Sequence, residues 1–362
     1  MHRSICPGMI ALCLALAACA PTAVIPPAEP MAQPAPEPPP AAAAPEPSVA
    51  IDLSGPKYLA LLNELETQHG FNADALAQLF SRAKFLPDVP QKFAKPAEAL
   101  PYDQYRPIFI TPDNVEQGKA FLARHRELLT SIEQHFGVDG AVIAAILSVE
   151  TKFGKRTDGG YLVFDALNTT FAGVPNREAF ARKELIEFLL LCRDEGLDPL
   201  AVKGSYAGAM GTPQFIASSY RRFTVDYDGD GKRDLWGSYG DIFASVANYL
   251  KMNGWRPGAP TRLPVTVNGE ASAARAALDQ GLQGKITIQK LLETGVAWAG
   301  EPVHPLPIDD SQEVSLLAYP STDGEKTVAL FPNFRAIMTY NRAVNYALVV
   351  SDLADLLGRS ES

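Results

Sequence analysis

The chain has 362 residues, with 41 acidic against 32 basic side chains and a hydrophobic share of 47%. A net charge of −9 argues against a nucleic-acid binder, which needs a basic face to displace counterions from phosphates, and against electrostatic adhesion to anionic lipid. The apolar share is large enough to bury a sizeable core, which excludes a disordered acidic tail.

Residues 1–18 carry Arg3 before a short apolar run from Met9 to Ala18, too brief to span a bilayer as a helix, and read as a secretory signal peptide. The run closes on Leu16-Ala17-Ala18-Cys19, which resembles the lipobox of bacterial lipoproteins, where the cysteine becomes the lipidated N-terminus. A chance cysteine behind an ordinary signal is the plain alternative. Ala20 is not the aspartate that retains lipoproteins in the inner membrane, so the expectation is an outer-membrane lipoprotein facing the periplasm. Residues 19–50 follow as a tether, with eleven prolines between Pro21 and Pro47 that favour extended polyproline II over a packed fold. Cys6 and Cys13 leave with the signal, so with Cys19 lipidated no disulfide is expected, and Cys192 reads as a buried small hydrophobe.

The folded part begins near Ile51. Helical spacing covers Tyr58 to Leu65, a helix opens at the cap candidate Asn72, and further helical patterns run over Thr111–Phe136, Val138–Thr151, Arg177–Glu195 and Gly240–Met252. After Trp255 the pattern turns to short β-rich runs, Arg262–Val267, Glu313–Tyr319 and Thr327–Phe331, the last two joined by a hairpin loop at Ser321–Glu325. An apolar helix at Ala343–Leu357 closes the chain. The order implies an α+β, mainly α fold.

Three segments carry candidate chemistry. The apolar run Val138–Val149 ends in Glu150; a carboxyl there, among apolar neighbours, suits a general acid, while a helix-terminal charge reaching solvent is the bland alternative. The glycine-rich stretch Gly204–Phe215 lacks both the ending of a phosphate loop and a Gly-x-Ser-x-Gly elbow. It offers backbone amides, Ser205 and Gln214, which suits a neutral polar ligand such as sugar, or it is a structural turn. Asp226, Asp228 and Asp230, with Gly231 and Asp234 behind them, match the start of an EF-hand calcium loop, and Lys232 sits at the position that ligates through its carbonyl. Gly237 replaces the closing glutamate, leaving Asp241 as the candidate to close a longer loop; an acidic surface turn is the other reading. The scattered histidines form no zinc spacing.

Taken in order, Ile146–Gly154, Lys203–Phe215, the loop from Asp226, Ala247–Leu250 with Gly254-Trp255, and Tyr340-Asn341-Arg342 with Tyr346 resemble the membrane-bound lytic murein transglycosylase B family, an SLT-like lipoprotein family of glycoside hydrolase family 103 type. The resemblance spans about Tyr58 to Leu357. It implies a lysozyme-like core with an elongated helical domain and a small inserted β domain: residues 51–130 helical, completed by about 242–256; 131–241 the catalytic core with the EF-hand-like loop; 257–333 the β insert; 334–362 a return to the core. It implies a carbon–oxygen lyase that cleaves the β-1,4 bond between N-acetylmuramic acid and N-acetylglucosamine in peptidoglycan without water. Glu150 would act as acid and then base, and Ser205, Gln214, Tyr249, Tyr340, Asn341, Tyr346 and Tyr105 would bind substrate. No catalytic cofactor is implied, only one structural calcium ion. The implied partners are glycan strands, the outer membrane through Cys19, and cell-wall synthesis or division proteins. A muramidase using water at the same site and a non-catalytic wall-binding lipoprotein are the competing readings.

Overall fold

The structure, a computed structural model, describes residues 51–93, 100–157, 159–267, 272–299, 309–321 and 324–358. The expected signal peptide, the tether and Cys19 lie outside the described residues. Six helices lead into the core: α1 (Pro56–Thr67), α2 (Ala73–Phe80), α3 (Asp88–Phe93), α4 (Tyr102–Phe109), α5 (Pro112–Arg124) and α6 (Arg126–Phe136). Asn72 caps α2 by accepting the Ala75 amide at 2.9 Å, and Thr111 caps α5, with Pro112 in the first turn where a missing N–H is harmless. The helix expected across Thr111–Phe136 is broken at His125, whose backbone leaves the helical region and whose ring packs on Phe121, Tyr239 and Phe243. The break lets α5 pack on the next helix, α7 (Gly140–Thr151), while α6 also packs on α11 (Tyr239–Met252).

Helix α7 is capped by Asp139, which accepts the Ala141 amide at 2.7 Å, and every residue from Gly140 to Ser148 is buried. A helix that is apolar all round can satisfy itself only at the centre of the fold. Its principal neighbour is α15 (Val344–Gly358), and the two form the spine of the large core. Between them in the chain come β1 (Tyr161–Leu162), α8 (Val163–Gly173), α9 (Glu178–Glu195), β2 (Lys203–Gly204) and α10 (Ala217–Phe223). Strands β1 and β2 pair antiparallel. Cys192, on α9, is free and buried, and burial pushes its thiol up to about 12.

Helix α8 has no counterpart in the expected elements. Its buried face carries Asp165, Asn168 and Thr169, and these are satisfied by the N-terminal segment: Asp165 accepts the Lys84 amide and Thr169 the Leu86 amide, both from the loop between α2 and α3, and the Tyr58 hydroxyl of α1 donates to Asn168. A polar buried face hides a helix from a hydrophobic pattern.

The region after Trp255 has its own small core. Strands β3 (Arg262–Val267), β4 (Ile286–Thr287), β5 (Val296–Trp298), β6 (Glu313–Ser321) and β7 (Gly324–Leu330) form one antiparallel sheet in the order β4-β6-β7-β3-β5. Val265, Leu316, Ala329 and Phe331 pack there against α12 (Ser272–Asp279) and α13 (Ile288–Glu293), two helices beyond the β-rich pattern expected. The hairpin is tighter than expected, since Ser321 already pairs with Gly324. The chain returns through α14 (Pro332–Tyr340) to α15. Asp352 on α15 ties the parts together: it pairs with Arg262 of β3 and with Arg106 (2.9 Å), and accepts the Tyr102 hydroxyl (2.7 Å) from α4. Arg262 and Asp352 are both largely buried, so each depends on the other for its charge.

Candidate active site

The all-apolar α7 ends at Glu150, whose carboxyl is half-buried. The Tyr346 hydroxyl, from α15, donates to Glu150 Oε1 at 2.6 Å. Tyr346 stacks on Tyr340 with ring centroids 6.3 Å apart and planes inclined by 10°. Tyr340 in turn packs edge-on against Tyr249 at 4.9 Å, and Phe215 lies 5.5 Å from Tyr249 and 5.8 Å from Tyr340. Each neighbouring phenol is anchored on a backbone carbonyl: Tyr340 donates to Pro213 O and Tyr249 to Thr339 O, both at 2.6 Å. Burial first, then the Glu150 charge, pushes the Tyr340 and Tyr346 phenols well above the ordinary tyrosine range, so both are firm donors at neutral pH. Tyr105, fully buried on α4, adds a smaller upward push to the Tyr346 phenol.

What holds the end of α7 is a threonine. Thr151 Oγ1 donates to Thr212 O at 2.8 Å and accepts the Gly154 amide at 3.1 Å. The link is needed because Lys152 and Phe153 have φ of 50° and 60°, a left-handed backbone that costs a side-chain-bearing residue roughly 1–2 kcal/mol. Phe153 remains there because its ring is buried on Phe121 at 4.9 Å.

The glycine-rich stretch begins as β2 and folds back on itself through bridges Gly204–Met210 and Met210–Phe215. Gly204 is required by the chain, not by a ligand: a Cβ there would lie 2.2 Å from Ala209 O. Half-buried Ser205 accepts the Ala207 and Ala209 amides at 3.2 and 3.1 Å, which fixes its oxygen. Gln214, at φ 52°, donates to Gly211 O at 2.9 Å. The fold thus brings Glu150, Tyr346, Tyr340, Tyr249 and Tyr105 into one cluster, with the segment bearing Gln214 tied to it through Pro213. Ser205 joins only through the Met210–Phe215 bridge. Asn341 accepts the Ala343 amide at 3.1 Å, ordering the entry to α15. Phe215, Thr151 and Thr212 are site residues that the sequence reading missed; the one available signal was a threonine directly after a glutamate that ends an all-apolar helix.

The acidic loop is tightly wound. Asp226 accepts the Gly229 and Gly231 amides at 2.8 and 2.9 Å, Asp230 accepts the Lys232 amide at 2.8 Å, and carboxylate oxygens of Asp226, Asp228 and Asp230 lie within 4.8 Å of one another. Three converging hard oxygens, with the Lys232 carbonyl next in the loop, fit a calcium ion. Asp241 does not belong to that group. It is fully buried, lies outside the converging group, and its two oxygens accept the Tyr227 and Asp234 amides, each at 2.8 Å, so it braces the loop. The brace extends to the cleft, since the Leu235 carbonyl next to Asp234 accepts the Thr212 amide at 2.8 Å.

Residues 55–355 match the family model described as Transglycosylase SLT domain. The chain is 36% identical over 310 residues to membrane-bound lytic murein transglycosylase B of Escherichia coli strain K12, covering 83% of this chain and 82% of that one. Among solved structures, soluble lytic transglycosylase SltB1 from Pseudomonas aeruginosa superimposes with a TM-score of 0.76 at 36% identity, over 84% of this chain and 99% of that one. The Escherichia coli lytic transglycosylase Slt35 in complex with calcium does so with 0.74 at 34%, over 86% and 95%.

Thr151→Val removes the side-chain donor to Thr212 O and the acceptor of the Gly154 amide in a buried setting, and is expected to destabilise the fold by about 2 kcal/mol in urea denaturation. Thr151→Ser keeps both bonds and stays within about 1 kcal/mol of the parent; equal losses in the two variants would refute this role for the hydroxyl.

Proposed function

The chain belongs to the SLT-domain transglycosylase family, and from that premise we propose how its residues perform lytic transglycosylation of peptidoglycan. The bond broken is the β-1,4 link between N-acetylmuramic acid and N-acetylglucosamine. Protonated Glu150 gives its proton to the bridging oxygen as the C1–O bond breaks, and the released N-acetylglucosamine end leaves as a hydroxyl. The carboxylate then takes the proton of the muramoyl C6 hydroxyl, whose oxygen bonds to C1 and closes the 1,6-anhydro ring. One proton enters and one leaves the same carboxyl, and no water is consumed. Ordinary glycosidases need a second carboxylate for the water or the covalent intermediate; here the nucleophile is part of the substrate.

The observation that carries this assignment is the 2.6 Å bond from Tyr346 to Glu150 Oε1, which fixes the plane of a half-buried carboxyl at the edge of an aromatic cleft. Tyrosines suit a sugar site because the ring stacks on a pyranose face while the hydroxyl bonds to polar groups. Half-buried Tyr340 is the ring that borders the sugar in this reading, buried Tyr249, Tyr346 and Tyr105 back it, Gln214 and Asn341 lie beside it, and Ser205 orients the 2-acetamido group that supports the charge developing at C1. Sacculi digested with the wild-type chain release 1,6-anhydro-muropeptides by mass analysis. Glu150→Gln, which keeps the shape and loses the proton transfer, lowers release by about a thousand-fold or more while sugar binding persists. Undiminished cleavage by the variant would contradict the assignment, and reducing ends without anhydro products would favour the muramidase.

Asp226, Asp228, Asp230 and the Lys232 carbonyl hold one structural calcium ion in this reading, and the donor set supports it. The ion neutralises three crowded carboxylates and contributes no catalytic step. Calcium in large excess over its Kd is expected to raise the melting temperature of the wild-type chain by several degrees and leave Asp228→Ala unmoved; equal shifts in both would refute the site. The reading also places the protein at the cell envelope, on the periplasmic face of the outer membrane, with Cys19 lipidated and residues 20–50 as the tether. Cys19→Ala is then recovered in the soluble fraction, whereas membrane retention of that variant would refute the anchor.

A further inference from the structure

Two of the helices that carry the tyrosine cluster, α11 and α14, lead to a second groove. One turn beyond Tyr249 on α11, about 6 Å along the axis, Asn253 Nδ2 donates to the Tyr249 carbonyl at 2.8 Å. One turn before Thr339 on α14 stands Arg335. Asn253, Arg256, Lys285, Ser315 and Arg335 line a cavity of about 300 Å³ where the β-rich region meets these helices, and a further opening of about 490 Å³ continues from it past Gln312, Glu313 and Asp309.

The charges in the cavity are unbalanced. Arg256 is held by its own amide, which donates to Asn333 Oδ1 at 2.7 Å, and by Nη1, which donates to Gln312 Oε1 at 2.5 Å. Arg335 Nη2 donates to the Leu282 carbonyl and to Ser315 Oγ, both at 2.6 Å. Ser315 is itself almost fully buried and bonded to Gly284 O at 2.6 Å, so Arg335 rests on a fixed support. Both guanidinium groups are therefore oriented by neutral acceptors, and among the described residues neither forms an ion pair with a carboxylate. Lys285 pairs only with exposed Glu313, at 3.2 Å. Three cations face one carboxylate in the inner cavity of a chain whose net charge is −9. An oriented guanidinium offers a planar pair of donors that matches a carboxylate.

We propose that this groove binds the carboxylates of the stem peptides that hang from the glycan strand, so that the enzyme reads peptide substitution beside the bond it cleaves. The proposal rests on peptidoglycan being the substrate. The strand passes Glu150 and Tyr340, and the groove begins one helical turn from Tyr249 on α11 and five residues from Tyr340 on α14, within reach of a peptide a few residues long. Arg256 and Arg335 hold the carboxylates; Asn253 serves the peptide amides.

The test titrates a soluble stem tetrapeptide, without sugar, into the full chain by NMR. Saturable shifts at Asn253, Ser315 and Arg335 are expected, and Arg256→Glu abolishes them. Arg335→Gln weakens binding by about five-fold, the worth of one charge-assisted bond. Among the described residues the Arg256 side chain is hydrogen-bonded to half-buried Gln312 alone, so its variant is the one least exposed to a folding defect. In turnover, the ratio of KM on intact sacculi to KM on amidase-stripped strands rises about five-fold in Arg256→Glu. Absence of saturable binding, binding unchanged by Arg256→Glu, or an unchanged KM ratio would each overturn the proposal. A wild-type chain that binds the tetrapeptide in this groove but releases no anhydro products would sustain the groove and refute the catalytic reading.

Discussion

Glu150 is presented by the last turn of a helix that the core fixes in place. Every side chain of α7 up to Ser148 is buried, so the helix is fixed by packing, and its last turn is the first place where a carboxyl can emerge half-covered. Emergence alone leaves a flexible side chain. The Tyr346 hydroxyl on Oε1 removes that freedom, and Tyr346 is itself immobile because α15 packs along α7 and its ring stacks on Tyr340. The left-handed pair Lys152 and Phe153 turns the chain away at once and clears the cleft, a strain that the buried Thr151 bonds and the Phe153 ring hold in place.

The same economy extends to the acidic loop. Asp241 binds the amides of Tyr227 and Asp234 from the interior, Leu235 receives the Thr212 amide, and Thr212 receives the Thr151 hydroxyl. A continuous run of hydrogen bonds therefore joins the acidic loop to the residue beside Glu150. Burial, the largest influence on Asp241, pushes its carboxyl above the usual range in spite of those amides. An aspartate so placed is tolerated only because both of its oxygens have backbone partners.

Much of this was legible in the residues. The apolar run before Glu150, the glycine-rich stretch and the 1-3-5 spacing of aspartates each mark a local chemistry that needs little tertiary context. The tyrosines were reached through the family resemblance, since tyrosine spacing by itself does not distinguish a sugar wall from ordinary packing. Other features depend on long-range partners and escaped. Helix α8 buries Asp165 and Thr169 against backbone amides of the α2–α3 loop and Asn168 against the Tyr58 hydroxyl, which defeats a hydrophobic pattern. The break at His125 is set by aromatic neighbours on α11. The spacing of Asp241 allows it as a ligand, yet it is buried outside the group of converging carboxylates.

The central claim is that a single carboxyl suffices because the attacking oxygen belongs to the sugar. Digestion of sacculi in H₂¹⁸O, followed by mass analysis of the muramic products, tests it directly. The account predicts anhydro-muropeptides with no heavy oxygen at C1. Reducing muramic ends carrying ¹⁸O, formed in proportion to cleavage, would show that water is the nucleophile and would contradict the account.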